Sequence, residues 1–178
     1  MAPLYLSGGV CFGTHRHVDV RGKPDEYLVC FDANSLYAYC MTKKLPVGGA
    51  RWLTQAEIAH LRETEVELWP DEEADFTYFL EVDLHDPREL HDAHADMPMA
   101  PEKISVSWED LSPLSREQWS RNSKARYRPE AKLIPNLRDK TRYVLHLEAL
   151  KFYVKSGLVL KTIHRGLYFK QRSFLKGN

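Results

Sequence analysis

The chain is poor in cysteine: 178 residues hold three, at Cys11, Cys30 and Cys40. No two are spaced C-x-x-C, and an odd number cannot pair completely. A disulfide-stapled secreted scaffold is therefore a poor fit, and an intracellular, reducing compartment is expected. No apolar run approaches the ~20 residues that cross a bilayer, so no membrane partner is expected. The start, Met1-Ala2-Pro3-Leu4-Tyr5-Leu6, has neither the basic nor the long apolar region of a secretory signal. Repeats, low-complexity tracts, phosphate-binding glycine loops, dinucleotide fingerprints and Ser/His/Asp or Cys/His hydrolase patterns are all missing. Net charge is also missing, with 25 Lys+Arg against 25 Asp+Glu, although 43% of residues are apolar, enough for a packed core.

The zero net charge conceals segregation. Residues 1–120 carry 10 Lys+Arg against 22 Asp+Glu, a net of −12, and residues 121–178 carry 15 against 3, a net of +12. The basic part also holds Tyr127, Tyr143, Phe152, Tyr153, Tyr168 and Phe169, the cation-plus-aromatic composition of many nucleic-acid surfaces. The alternative is that the two parts fold together and neutralise one another.

Periodicity predicts a mixed α/β, more narrowly α+β, chain. Tyr27-Leu28-Val29-Cys30-Phe31 reads as a buried strand ending at Asp32. Asn34 or Ser35 then caps a short helix through Leu36–Met41, which the Leu45-Pro46-Val47-Gly48-Gly49 stretch stops. Thr54 and Glu57 form a capping box before a short helix with Ile58 and Leu61 inward. Alternation over Phe76–Leu84 predicts a half-buried strand. Residues 85–113 read as loop, and Ser115 as the cap of a helix around Trp119. The strongest predicted helix runs from Thr141 to Ser156, with Tyr143, Leu147, Leu150 and Val154 on one face and Gly157 at its end. Leu158–Leu160 and Leu167–Phe169 read as two strands turning near Arg165-Gly166.

Chemistry centres on Phe31-Asp32-Ala33-Asn34-Ser35-Leu36-Tyr37. A carboxylate at the end of a buried strand is rigidly held, and the helix that follows offers free N–H groups to phosphate oxygens. Asp32 would ligate Mg²⁺, the backbone of Ala33, Asn34, Ser35 and Leu36 would hold a triphosphate, and Tyr37 would lie near the sugar. An aspartate after a strand is also an ordinary structural cap.

Asp32-x-x-Ser35-Leu36-Tyr37 resembles the first polymerase motif of family B DNA polymerases, with Ala38 where proline is usual. Further blocks in the same order resemble the protein-primed organellar and viral members. They are Lys44-Leu45-Pro46-Val47-Gly48, Val82-Asp83-Leu84, Pro87–Asp92, Met97–Lys103, Leu137–Lys140 with Tyr143–His146, Gly157-Leu158, Ile163–Arg165 and Phe169–Gln171. The resemblance implies a palm segment over 1–50, an insertion contacting DNA and a priming terminal protein over 51–130, and a basic segment leading toward the fingers over 131–178. It makes Asp32 a ligand of the catalytic Mg²⁺ ions, the following loop the holder of the deoxynucleoside triphosphate, and Tyr37 the ring that rejects ribonucleotides. Gly8 and Gly9 stand where such enzymes touch the template, with Leu6 in place of the usual tyrosine. Lys140, Arg142, Lys151, Lys155, Arg165, Lys170 and Arg172 are the expected DNA-facing cations. The second and third motifs are absent from these 178 residues. Two-metal phosphoryl transfer needs the third motif's carboxylates as well as Asp32, so the isolated chain is expected to be inactive. A different class remains open, a non-catalytic DNA- or terminal-protein-binding remnant of such a polymerase. The histidines His85, His91 and His94, among Asp86, Asp92 and Asp96, match no structural zinc spacing and read as a solvated loop.

Overall fold

The computed structural model describes residues 17–122 and 126–173. Helix accounts for 29% and strand for 32%, so the chain is a mixture of the two, as expected, and forms a partial domain around a curled antiparallel sheet. The sheet contains β1 (Leu45–Trp52), β2 (Phe76–His85), β5 (Lys140–His146) and β6 (Val159–Arg172), in the order β1-β6-β2-β5 with every pair antiparallel. A second ladder pairs β3 (Glu102–Val106) with β4 (Glu130–Ile134). The helices are α1 (Leu36–Thr42), α2 (Gln55–Glu63), α3 (His91–His94), α4 (Pro113–Asn122) and α5 (Leu147–Lys155).

The capping box forms as expected. The Thr54 hydroxyl accepts from the Glu57 N–H at 3.2 Å, and the Glu57 carboxylate accepts from the Thr54 N–H at 2.8 Å. This starts α2 with Ile58 and Leu61 buried. They join Leu80, Val82 and Leu84 of β2, Leu145 of β5, Leu147 and Leu150 of α5, and Ile163 of β6 in one apolar cluster. Alternation along β2 puts the three core residues on the face packed with α2 and α5, and turns Phe79, Glu81 and Asp83 the other way.

Three predicted elements are drawn differently. The helix expected from Thr141 is a strand up to His146, and only then a helix. Thr141, Tyr143 and Val144 are β-branched or aromatic and suit the ladder with β2. His146 makes the switch, its Nδ1 accepting the Glu148 N–H at 3.2 Å and so capping α5. Gly157, at φ 105°, closes α5 as expected: Leu158 N–H donates to the Tyr153 carbonyl and Gly157 N–H to that of Val154. The two short strands expected after it are one 14-residue strand, β6, with no turn at Gly166. The glycine is there for close approach. A Cβ on Gly166 would lie 2.6 Å from Leu53 Cδ1 and 2.7 Å from Leu80 Cδ2. Irregularities in the β2–β6 pairing, where Glu81 faces Arg165 but Val82 faces Ile163, leave His164 as an extra residue and help curl the sheet.

The stretch 85–113, expected as loop, contains α3 and β3. Helix α4 starts earlier than expected: Ser112, not Ser115, is the capping side chain, accepting the Ser115 N–H at 3.1 Å, with Pro113 in the first turn. The Leu45–Gly49 stop signal does end α1, but the same residues open β1 on the edge of the sheet, where a proline is tolerated.

Candidate functional site

The motif segment differs from its expected form. Residues 27–31 form no strand and lie open to solvent, Phe31 at 90% exposure. The physical reason is local: among the described residues no strand pairs with them and no apolar layer covers them, and a lone extended segment has no ladder to satisfy its backbone. Asp32 is exposed and has no hydrogen-bond or ion-pair partner among the described residues. Ser35 precedes α1 in the left-handed region, φ 55° and ψ 34°, and its hydroxyl makes no capping bond. The first intrahelical bond runs from Tyr39 N–H to the Ser35 carbonyl at 2.9 Å, which leaves the N–H groups of Leu36, Tyr37 and Ala38 without a helical acceptor. Tyr37 is 89% exposed. The expected chemical groups are thus free, but the rigid strand that was to aim Asp32 is not formed.

The other end of α1 is anchored. Lys43 pairs with Glu72 at 3.1 Å, Lys44 with Asp75 at 2.9 Å, and the Ser173 hydroxyl donates to the Thr42 carbonyl at 3.1 Å. Gly8 and Gly9 lie outside the described residues.

Four of the seven cations of the expected track are engaged by neighbours, and one of them, Lys140, is buried. Lys140 is 3% exposed, its ammonium donating to Glu102 Oε2 at 3.0 Å and to the side-chain oxygen of Asn136 at 2.5 Å. Burial holds its pKa below the usual lysine range, against the opposing pull of Glu102. Arg142 and Arg165 both pair with the buried carboxylate of Glu81, Arg142 at 3.4 Å. Lys151 caps the Trp69 carbonyl at 2.9 Å. Of the seven cations, Lys155, Lys170 and Arg172 are exposed and have no polar partner among the described residues. Glu102 and Glu81, both in the first two-thirds of the chain, thus pair with three of these seven cations.

Sequence reasoning missed the polar face of β2. Asp83 Oδ1 accepts the Arg142 N–H at 2.7 Å and faces His164 Nε2 at 2.8 Å. The Arg142 N–H foremost, and His164 after it, hold the Asp83 carboxyl below the usual range. The signal was the alternation of Glu81 and Asp83 in a strand whose other residues are apolar. Arg142 takes a left-handed conformation, φ 53°, where its N–H meets Asp83. The histidines expected in a solvated loop are also structured. His94 is buried between Asp86 Oδ1 at 2.9 Å and the Ser156 carbonyl at 3.0 Å, tying α3 to the end of α5. His85 faces Asp139 at 2.7 Å and holds that carboxyl below its usual range. Each of these groups spends its bonding capacity on a neighbour.

No group of three or more His, Cys, Asp or Glu side chains converges as a metal site among the described residues. Asp32 alone supplies one carboxylate oxygen donor set, which suffices for Mg²⁺ only where substrate phosphates and waters complete the octahedron. Compared with protein-family models, curated proteins and solved structures, the chain matches none.

Proposed function

We propose that the chain is the portion of a protein-primed family B DNA polymerase that carries the first polymerase motif and the insertion after it. The observation that carries this is the ordered series of blocks beginning at Asp32-x-x-Ser35-Leu36-Tyr37 and continuing to Phe169-Lys170-Gln171. Two structural facts support it. The carboxylate of Asp32 is unspent, unlike Glu81, Asp83 and Asp86, which are held by neighbours. The apolar residues 27–31 are those of a strand buried on both faces, yet they stand uncovered. In this reading the rest of the palm supplies the neighbouring strands, and with them the rigidity Asp32 needs.

In the assembled enzyme Asp32 would hold Mg²⁺ together with the triphosphate, the Ala33–Leu36 backbone would bind phosphate oxygens, and Tyr37 would occupy the space of a 2′-hydroxyl. The metal would stabilise charge developing on the transferred phosphoryl group. DNA and a priming terminal protein are the proposed macromolecular partners.

The test is primer extension by the polymerase that contains this chain, with Asp32→Asn. The variant should lose nearly all turnover and keep its DNA affinity. Retention of more than about a tenth of the rate, roughly 1.4 kcal/mol of barrier, would remove Asp32 from the chemistry. Extension of a primer by the 178-residue chain alone would also overturn this account.

A further inference from the structure

The hollow beside the β3–β4 ladder is separate from everything used above. Ser107, Trp108, Glu109, Trp119, Arg126 and Tyr127 line an open cavity of about 520 Å³. Tyr127 is its central ring. The Trp108 ring lies 5.6 Å away at 58°, and the Trp119 ring 5.4 Å away at 82°.

The frame of the hollow is tied down while its chemical groups are not. The Tyr127 hydroxyl donates to the Val106 carbonyl at 2.9 Å. Arg116 donates to the carbonyls of Trp108 at 3.1 Å and Glu109 at 2.8 Å. Asp110 accepts the Ser107 N–H at 2.9 Å. In contrast, the indole N–H groups of Trp108 and Trp119, the Glu109 carboxylate and the Arg126 guanidinium have no partner among the described residues. Two other tryptophans are engaged: the Trp69 N–H donates to the Thr64 carbonyl, and Arg165 stacks over Trp52 while pairing with Glu81.

Two ligand chemistries suit an aromatic hollow, a quaternary or methylated ammonium and a planar heteroaromatic base. Size separates them. The volume is in the range of whole small-molecule sites, ~300–1,000 Å³, more than a methylated ammonium head fills. Arg126 on the wall attracts a phosphate, which a nucleotide carries beside its base. A base is flat enough to stack on one ring and meet the edge of the next, and its N–H groups suit the Glu109 carboxylate.

We propose that this hollow binds one unpaired nucleotide, its base against Trp108, Trp119 and Tyr127 and its phosphate on Arg126. The hollow lies in the 51–130 insertion to which the polymerase reading gives DNA contact, but the argument uses none of the ordered blocks that carry that reading.

The experiment titrates the full chain with a short single-stranded DNA of about four nucleotides, with a deoxynucleoside monophosphate, and with choline, reading tryptophan fluorescence. Quenching by the nucleic-acid probes is expected. Tighter binding of the oligonucleotide identifies a strand as the source, and equal binding of the monophosphate identifies a free nucleotide. Trp119→Ala should weaken affinity about five- to a hundredfold, and Trp119→Phe much less. Arg126→Ala should weaken it and lower the log–log salt slope by about 0.7. Arg126 is exposed and unpaired, so this variant keeps its fold even if Trp119→Ala does not; circular dichroism checks both. No quenching by either nucleic-acid probe, affinity unchanged by Arg126→Ala or by a folded Trp119→Ala, or a response to choline alone would overturn the proposal.

Discussion

Replacing Gly166 by alanine is the sharpest test of how the sheet meets its helical layer. Away from other atoms, alanine is the better strand residue, because glycine loses more backbone freedom on folding, a gain of about 0.5–1 kcal/mol for the substitution. At Gly166 the new methyl would stand 2.6 Å from Leu53 Cδ1, 2.7 Å from Leu80 Cδ2 and 3.2 Å from Leu53 Cγ, where ordinary contact begins near 3.4 Å. Relief requires moving two leucine ends by most of an ångström, and Leu80 is completely buried. Overpacking of this kind costs about 1–3 kcal/mol. The clash outweighs the entropy gain, so Gly166→Ala should destabilise by about 1–2 kcal/mol, and lower the melting temperature by roughly 2–8 °C for a chain of this size. Urea unfolding followed by circular dichroism measures it. With Leu53→Ala added, the double variant should lose less than the sum of the two single costs, because the two changes share one space and do not add. A Gly166→Ala chain as stable as the parent, or additive costs in the double variant, would refute the close-approach explanation.

Stability should fall as pH drops below about 6.5, and His146 should be one cause. Burial lowers its folded pKa, so in that window the unfolded chain binds the proton more readily, and acid favours unfolding. The proton would also occupy the nitrogen that accepts the Glu148 N–H. His146→Asn keeps a capping oxygen and removes the titration, so it should flatten the urea midpoint between pH 7 and 5; an unchanged slope would discount His146. Lys140→Met should cost about 2 kcal/mol, less than the ~3–5 for breaking a fully buried pair, because the Glu102 side chain keeps 30% exposure. A loss under about 0.5 kcal/mol in the same unfolding assay would contradict it. If the proposed polymerase reading holds, Tyr37→Val in the parent enzyme should raise incorporation of ribonucleotides relative to deoxynucleotides, and unchanged selectivity would make Tyr37 a packing residue.

Local signals carried the elements whose causes are local. The Thr54–Glu57 box, the alternation over Phe76–Leu84 and the Gly157 stop need only a few neighbouring residues, and each has the expected form. What went astray depended on distant partners. Tyr143, Leu147, Leu150 and Val154 have helical spacing, yet Tyr143 is held in a strand by pairing with Val82, 61 positions earlier. Gly166 looked like a turn because its side-chain neighbours, Leu53 and Leu80, are remote in sequence. The same holds at the candidate site. The free N–H groups at the start of α1 follow from the local pattern, whereas the strand before Asp32 needs pairing that the described residues do not offer. The fate of Lys140, Arg142 and Arg165 was illegible for a related reason: charge counting cannot reveal that Glu81 and Glu102 wait for them across the fold.

The strand order has a consequence for the growing chain. Strand β6 lies between β1 and β2, though it is made after both. While the ribosome is still working through α5, β1 has no neighbour at all, and one edge of β2 stands open. More than 100 residues must be threaded and held before Leu45 can meet Arg172, and contacts of such long range form slowly. Nascent chains stalled short of Val159 should therefore remain protease-sensitive throughout β1, with their exposed strand edges in need of protection from other chains.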